Sequence, residues 1–160
     1  MGCVFHCSIR IEERNILGDT NSFNKESLLL KPVAAYFRRK SFRWQQEELQ
    51  FYEHRVDLYG FSRVNGQTVA IELKLYKWQR AFEQAILYQL CADYVYIAMP
   101  VNSTGRVDTA LLKTHGIGLL AVGNGGRCWQ ILCSEQSTVV RDNYKDIYVN
   151  LLKNGVEQAW

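Results

Sequence analysis

The chain has 160 residues, of which 48% are hydrophobic and 22% charged, with a net charge of +3. That length and balance fit one domain, 1–160, with a sizeable buried core, and exclude a disordered chain or a bulk polycation. No apolar run approaches the roughly 20 residues of a membrane-spanning helix, so no membrane partner is expected, and no secretory signal is visible. Met1-Gly2-Cys3 opens like an acylation signal but has His6 where Ser or Thr belongs. Cys3, Cys7, Cys91, Cys128 and Cys133 include no C-x-x-C pair. Cys3, His6 and Cys7 lack a second ligand pair at zinc-like spacing. An odd, scattered set of thiols implies reduced cysteines and a cytoplasmic protein.

In chain order, a short strand around 7–11 is followed by the turn-rich Gly18-Asp19-Thr20-Asn21. Asn24 can cap a helix whose apolar positions are Leu28, Leu29, Val33 and Phe37. Pro32 removes a backbone donor inside it and predicts a kink or a break there. Strands are expected at about 42–48, 52–61 and 68–75. A helix near 77–92 presents Trp78, Phe82, Ala85, Ile86 and Leu90 as its apolar stripe, with Gln84 off the stripe and Tyr88 one turn further on. The strand at 94–99, reached through that helix, would run parallel to its predecessor and make the sheet mixed. A short helix near 107–114, a strand at 117–122, a Gly123–Gly126 turn and a strand at 127–133 follow. The last helix is expected to be capped by Asp142, to turn Tyr144, Ile147, Tyr148, Leu151 and Leu152 to one face, and to stop at Gly155.

The chemistry concentrates where Arg55-Val56-Asp57-Leu58 and Ile71-Glu72-Leu73-Lys74 flank Asn65-Gly66, a strong signal for a tight hairpin. With Asn65 and Gly66 as the two turn residues, Val64 pairs with Gln67 and Asp57 stands opposite Lys74. Glu72 then shares their face, while Val56, Leu58, Val69, Ile71, Leu73 and Leu75 take the other. Two carboxylates and an ammonium on one patch suit a divalent cation, which takes hard oxygen ligands, polarises a phosphoryl oxygen and acidifies a bound water. The same residues also fit a plain cross-strand Asp57–Lys74 ion pair worth roughly 0.2–1 kcal/mol.

Positive charge gathers at Arg38, Arg39, Lys40 and Arg43, and again at Lys74, Lys77 and Arg80. Trp44, Tyr59, Tyr76 and Trp78 interleave with them as stacking surfaces, a combination suited to a nucleic acid backbone. His54 lies three residues from Asp57 and so faces the other side, and His115 falls in a loop, so neither is expected to catalyse. Glu47, Glu48 and Glu53 are spare carboxylates, of which Glu53 shares the parity of Asp57.

Glu26 in KESLLLKPVAAYFRRK, Asp57 in HRVDLYGF, Glu72 and Lys74 in VAIELKL, and Gln84 and Tyr88 in FEQAILYQL form an ordered set. It resembles the PD-(D/E)xK nuclease superfamily, in the manner of small single-domain prokaryotic members with a RecB-like Gln-x-x-x-Tyr motif. Val56 stands where the superfamily usually has Pro. The resemblance covers roughly 24–100 and implies an α/β fold, a restriction endonuclease-like mixed sheet flanked by helices with an αβββαβ core, followed by C-terminal strands and a helix over 101–160. It implies a deoxyribonuclease dependent on Mg2+ or Mn2+, the metal held by Asp57, Glu72 and the backbone carbonyl of Leu73. Lys74 would position or activate the water and Glu26 would assist, with Glu53 an alternative to Glu26. Gln84 and Tyr88 would support the lysine and the phosphate, with Tyr88, Lys77, Arg80, Arg38 and Arg39 binding DNA. A symmetric homodimer would enlarge the DNA-binding surface and let two sites cut two strands. The alternative is a catalytically idle nuclease fold that binds nucleic acid or protein.

Overall fold

The computed structural model describes residues 23–157. Along the chain come α1 (Ser27–Arg39), β1 (Trp44–Phe51), β2 (His54–Phe61), β3 (Thr68–Leu73), α2 (Trp78–Tyr88) and β4 (Tyr94–Pro100). They are followed by α3 (Val101–Thr104), α4 (Thr109–Thr114), β5 (Gly118–Val122), β6 (Cys128–Leu132) and α5 (Asp142–Glu157). The strand expected at 7–11 and the set Cys3, His6 and Cys7 lie outside the described residues.

The strands form one open, mixed six-stranded sheet in the order β1-β2-β3-β4-β5-β6. The first three are antiparallel, β3, β4 and β5 are parallel, and β6 returns antiparallel to β5. The segment after residue 100 thus extends the same sheet. All of β3, β4 and β5 is buried, as central strands covered by helices on both faces must be. On one face α1 seats Leu29, Val33 and Phe37 against Leu58, Ile71, Tyr96 and Leu120. On the other, Ala81, Ala85 and Tyr88 of α2 and Val149 and Leu152 of α5 cover Tyr59, Ala70, Ile97 and Leu119. No helix among the described residues is long and apolar enough to cross a membrane.

Several local expectations change. Helix α1 begins after Glu26, not Asn24, and continues through Pro32 unbroken. The bond lost there belongs to the carbonyl of Leu28, an exposed residue where water can replace it. Leu28 accordingly leaves the apolar stripe. Helix α5 runs through Gly155 to Glu157, and its packed residues include Val149, while Ile147 and Leu151 face solvent.

The hairpin between β2 and β3 is wider than a two-residue turn. The Ser62 N–H donates to the Gln67 carbonyl at 2.9 Å and the Gly66 N–H to the Ser62 carbonyl at 2.8 Å. Gly66 is left-handed at φ +71° but Asn65 is not, so the type I′ geometry that needs both is absent. The Asn65 side chain instead accepts from the Gln67 N–H at 3.0 Å. Residues 63–66 therefore form the loop, and the register becomes Leu58↔Ile71 and Phe61↔Thr68. That is a slip of two from the expected pairing, which preserves the parity of every side chain.

Candidate functional site

Asp57 sits where both ladders of β2 are interrupted. Toward β3 the pairing stops at Leu58↔Ile71. Toward β1 it passes from Glu47↔Leu58 to Leu49↔Val56 without a pair at Glu48, which has a left-handed φ of 50°. A non-glycine residue in that region bends its strand. The Asp57 carboxylate fills the gap: Oδ2 accepts the Leu73 N–H at 2.7 Å. The bend also breaks the alternation, since Val56 packs with the α2 and α5 core whereas Leu58, Val69, Ile71, Leu73 and Leu75 pack under α1. The expected single apolar face thus loses Val56.

Glu72, next along β3, is 3% exposed. Its Oε2 lies 3.1 Å from the Tyr88 hydroxyl, which is also 2.8 Å from the Arg55 carbonyl. One phenolic proton cannot serve both acceptors. If Glu72 is protonated, its own O–H can donate to Tyr88 while Tyr88 donates to Arg55. Electrostatics favour that arrangement: burial, then the charge of Asp57, push Glu72 up to about 8. Burial likewise raises Asp57 to about 6 against the lowering effect of the Leu73 N–H. Burial and the neighbouring Glu72 push the Tyr88 phenol upward.

Lys74 follows where β3 ends, its N–H continuing the parallel ladder to the Ala98 carbonyl at 3.0 Å. Its Nζ is 3.8 Å from Glu72 Oε1 and 3.6 Å from Glu26 Oε1, contacts of charge rather than hydrogen bonds. Lys74 thus pairs with Glu72 and Glu26 in place of the expected Asp57. Glu26 reaches it from the start of α1, at the carboxyl end of β3. Glu53 lies at the exposed turn between β1 and β2, and Glu48 pairs with Arg55 at 3.7 Å while raising Asp57.

Gln84 lies one turn before Tyr88, and its Oε1 is buried without a hydrogen-bond partner among the described residues. It lines a groove of about 630 Å3 with His54, Lys77, Gln79, Arg80 and Glu83. A second hollow of about 260 Å3 is lined by Glu26, Lys74, Tyr76, Lys77 and Arg80, so the two meet at Lys77 and Arg80. His54 is a lining residue that strand parity had turned away. The bend at Glu48 and Asp57 that carries Val56 to the α2 side carries His54 with it, and nothing in the sequence marks that bend.

Four residues expected to contact DNA are corrected. Tyr88 has 0% exposure and cannot touch a substrate; it holds Glu72. Tyr59 is also fully buried, its hydroxyl donating to the Cys91 carbonyl at 2.5 Å, so it offers no stacking surface. Arg38 and Arg39 end α1 while Glu26 precedes it, which puts them roughly 18 Å along the axis from the site at 1.5 Å per residue. They do not join the Lys77 and Arg80 groove.

The donor set fits a hard divalent cation. Asp57 Oδ1 and Glu72 Oε1 remain for a ligand, and magnesium needs only one or two carboxylates when waters and a phosphate complete its shell. Among the described residues no group of three or more His, Cys, Asp or Glu side chains is arranged to hold a metal ion, so the Leu73 carbonyl and waters would have to supply the rest.

No family model and no curated protein matches the chain. Its structure is similar to the SPO1766 protein of unknown function from Silicibacter pomeroyi, with a TM-score of 0.65 and 17% identity over 82% of this chain and 85% of that one. At that identity the likeness speaks for a shared mixed α/β fold alone.

Proposed function

We propose that the chain is a Mg2+- or Mn2+-dependent deoxyribonuclease of the PD-(D/E)xK type. The observation that carries this reading is the meeting of Asp57, Glu72, Lys74 and Glu26 at the carboxyl end of β3, beside a groove edged by Lys77 and Arg80. The order α1-β1-β2-β3-α2-β4, with β3 parallel to β4, supports a restriction endonuclease-like αβββαβ core.

In this reading Asp57, Glu72 and the Leu73 carbonyl hold the cation, which when bound polarises a phosphoryl oxygen and lowers the pKa of a water. Lys74 orients the attacking water and meets the charge that develops on the phosphoryl oxygens. Glu26 holds the Lys74 ammonium from the α1 side, and Tyr88 fixes the Glu72 carboxyl from below. Gln84 offers an unsatisfied acceptor to an O–H of the incoming water. Lys77 and Arg80 follow the phosphate backbone.

The test is cleavage of labelled single-stranded, duplex and branched DNA in magnesium, manganese or EDTA. Wild type should cut only with metal, and Lys74→Ala should not cut while still binding DNA. Full activity in Lys74→Ala would refute the assignment.

A second reading, an idle nuclease fold that binds nucleic acid or protein, is favoured by one observation. Glu72 is buried and bonded to Tyr88 at 3.1 Å, with burial pushing its pKa upward, a satisfied arrangement that a non-catalytic fold could equally keep. That protein would bind DNA identically with and without metal and never cut it.

A further inference from the structure

We infer that the DNA strand taken by this site is unpaired, with one of its bases stacked on Tyr76. The inference rests on the nuclease reading for the polymer concerned and goes beyond it to the form of the substrate. Tyr76 stands in the link between β3 and α2, two residues after Lys74, and is 62% exposed. Leu75 before it is anchored in the α1 core, and the Tyr76 carbonyl is fixed by the Trp78 N–H at 2.9 Å. Its backbone is therefore held, yet among the described residues its ring makes no aromatic contact and its hydroxyl no hydrogen bond. A large ring left bare in the wall of the hollow that contains Lys74 leaves an aromatic face for a ligand.

The chemistry of the hollow says which kind. Its lining sets Lys74, Lys77 and Arg80 against one carboxylate, Glu26, and Lys74 is further offset by Glu72 at 3.8 Å, so Lys77 and Arg80 are the cations left to follow a phosphate. Cations that follow phosphates beside an aromatic platform for a base are what single-strand binding requires. In a duplex each base is covered above and below by its neighbours, so a ring at this position would meet only the sugar-phosphate edge. A strand whose bases are free can set one on Tyr76 while its phosphate lies over Lys77, within reach of Lys74.

Binding measured by fluorescence anisotropy in EDTA tests this without cleavage. The probes are a labelled single strand, its blunt duplex, the same duplex with a single-stranded tail, and a single strand of abasic nucleotides. The single strand and the tailed duplex should bind more tightly than the blunt duplex. Tyr76→Ala should weaken those two roughly five- to a hundred-fold and leave the blunt duplex and the abasic strand unchanged. Tyr76→Phe keeps the ring and should bind as wild type. Thermal melts, which this exposed position should not shift, check folding. Equal or tighter binding of the blunt duplex, or single-strand binding indifferent to Tyr76→Ala, would overturn the inference. The same panel with magnesium or manganese separates it from the nuclease reading. Duplex cut equally by wild type and Tyr76→Ala would end this inference alone. Tyr76-dependent binding with no cutting of any probe would end the nuclease reading and leave this one standing.

Discussion

Replacing Glu72 by Gln should make the metal-free protein more stable at alkaline pH, although it alters a buried residue. The Glu72 carboxyl is lifted from an ordinary 4.5 to about 8, chiefly by burial and then by the charge of Asp57. Between those values the native state keeps a proton that the unfolded chain has lost. The contribution of Glu72 to stability is therefore greatest below pH 4.5, falls as pH rises, and levels off above about 8. Asp57, lifted from 3.8 to about 6, adds a shorter decline in the same direction. At about 1.4 kcal/mol per pH unit, the Glu72 displacement corresponds to on the order of 5 kcal/mol. Asp57 and Lys74 readjust as Glu72 ionises, leaving a loss of roughly 2–4 kcal/mol between pH 5 and pH 8. Glutamine keeps the size of the side chain, and its amide can donate to Tyr88 as the protonated acid does. Urea unfolding in EDTA at pH 5, 6.5 and 8 should show the variant close to wild type at pH 5 and roughly 2–4 kcal/mol more stable at pH 8. Parallel profiles would refute the assignment of a neutral Glu72.

Magnesium or manganese at pH 8 should raise the melting temperature of wild type by offsetting the two carboxylates, and Asp57→Asn should reduce that rise; an equal rise in both would exclude Asp57 as a ligand. Asp93 is 5% exposed and accepts from the Thr68 N–H at 2.8 Å, the Thr68 hydroxyl at 3.0 Å and Lys145 at 2.7 Å. Asp93→Ala should therefore destabilise by about 3 kcal/mol or more in urea unfolding, since it strands a backbone donor and a half-buried ammonium. At Gly118 an added Cβ would lie 2.3 Å from the Tyr96 ring and 2.8 Å from the Ser134 nitrogen. Gly118→Ala should cost roughly 1–3 kcal/mol, and an unchanged melting temperature would contradict the packing of β4 against β5.

The order of elements was legible because each carries a period of its own. The apolar run at 94–100 is a strand buried on both faces, and the helix between it and β3 makes the two strands parallel. Helix α5 was legible as a helix but not in its orientation. Tyr144, Ile147, Tyr148, Val149, Leu151 and Leu152 form a stripe too broad for periodicity to say which edge packs. The sheet settles it toward Val149 and Leu152, leaving Ile147 59% exposed. Gly155 reads as a stop, yet it carries no positive φ and simply continues the helix.

At the site, parity survived where register did not. A four-residue loop in place of a two-residue turn moves Asp57 by two positions, and an even slip returns every side chain to its expected face. What parity cannot contain is a bend within a strand. Glu48 adopts a left-handed conformation that no residue type there announces, and the consequences reach Val56 and His54. Depth is hidden for a related reason. Gln84 and Tyr88 are one turn apart on α2, so their spacing says that they point the same way. It does not say that Ala81, Ala85 and Tyr88 make the fully buried face of α2, with Gln84 at its margin. Gln84 stays at the groove wall, while Tyr88 disappears beneath Glu72. A role assigned from that spacing alone is therefore divided between touching a substrate and holding the group that does. Only the packing of that face against the sheet, a property of the whole core, assigns Tyr88 to the second.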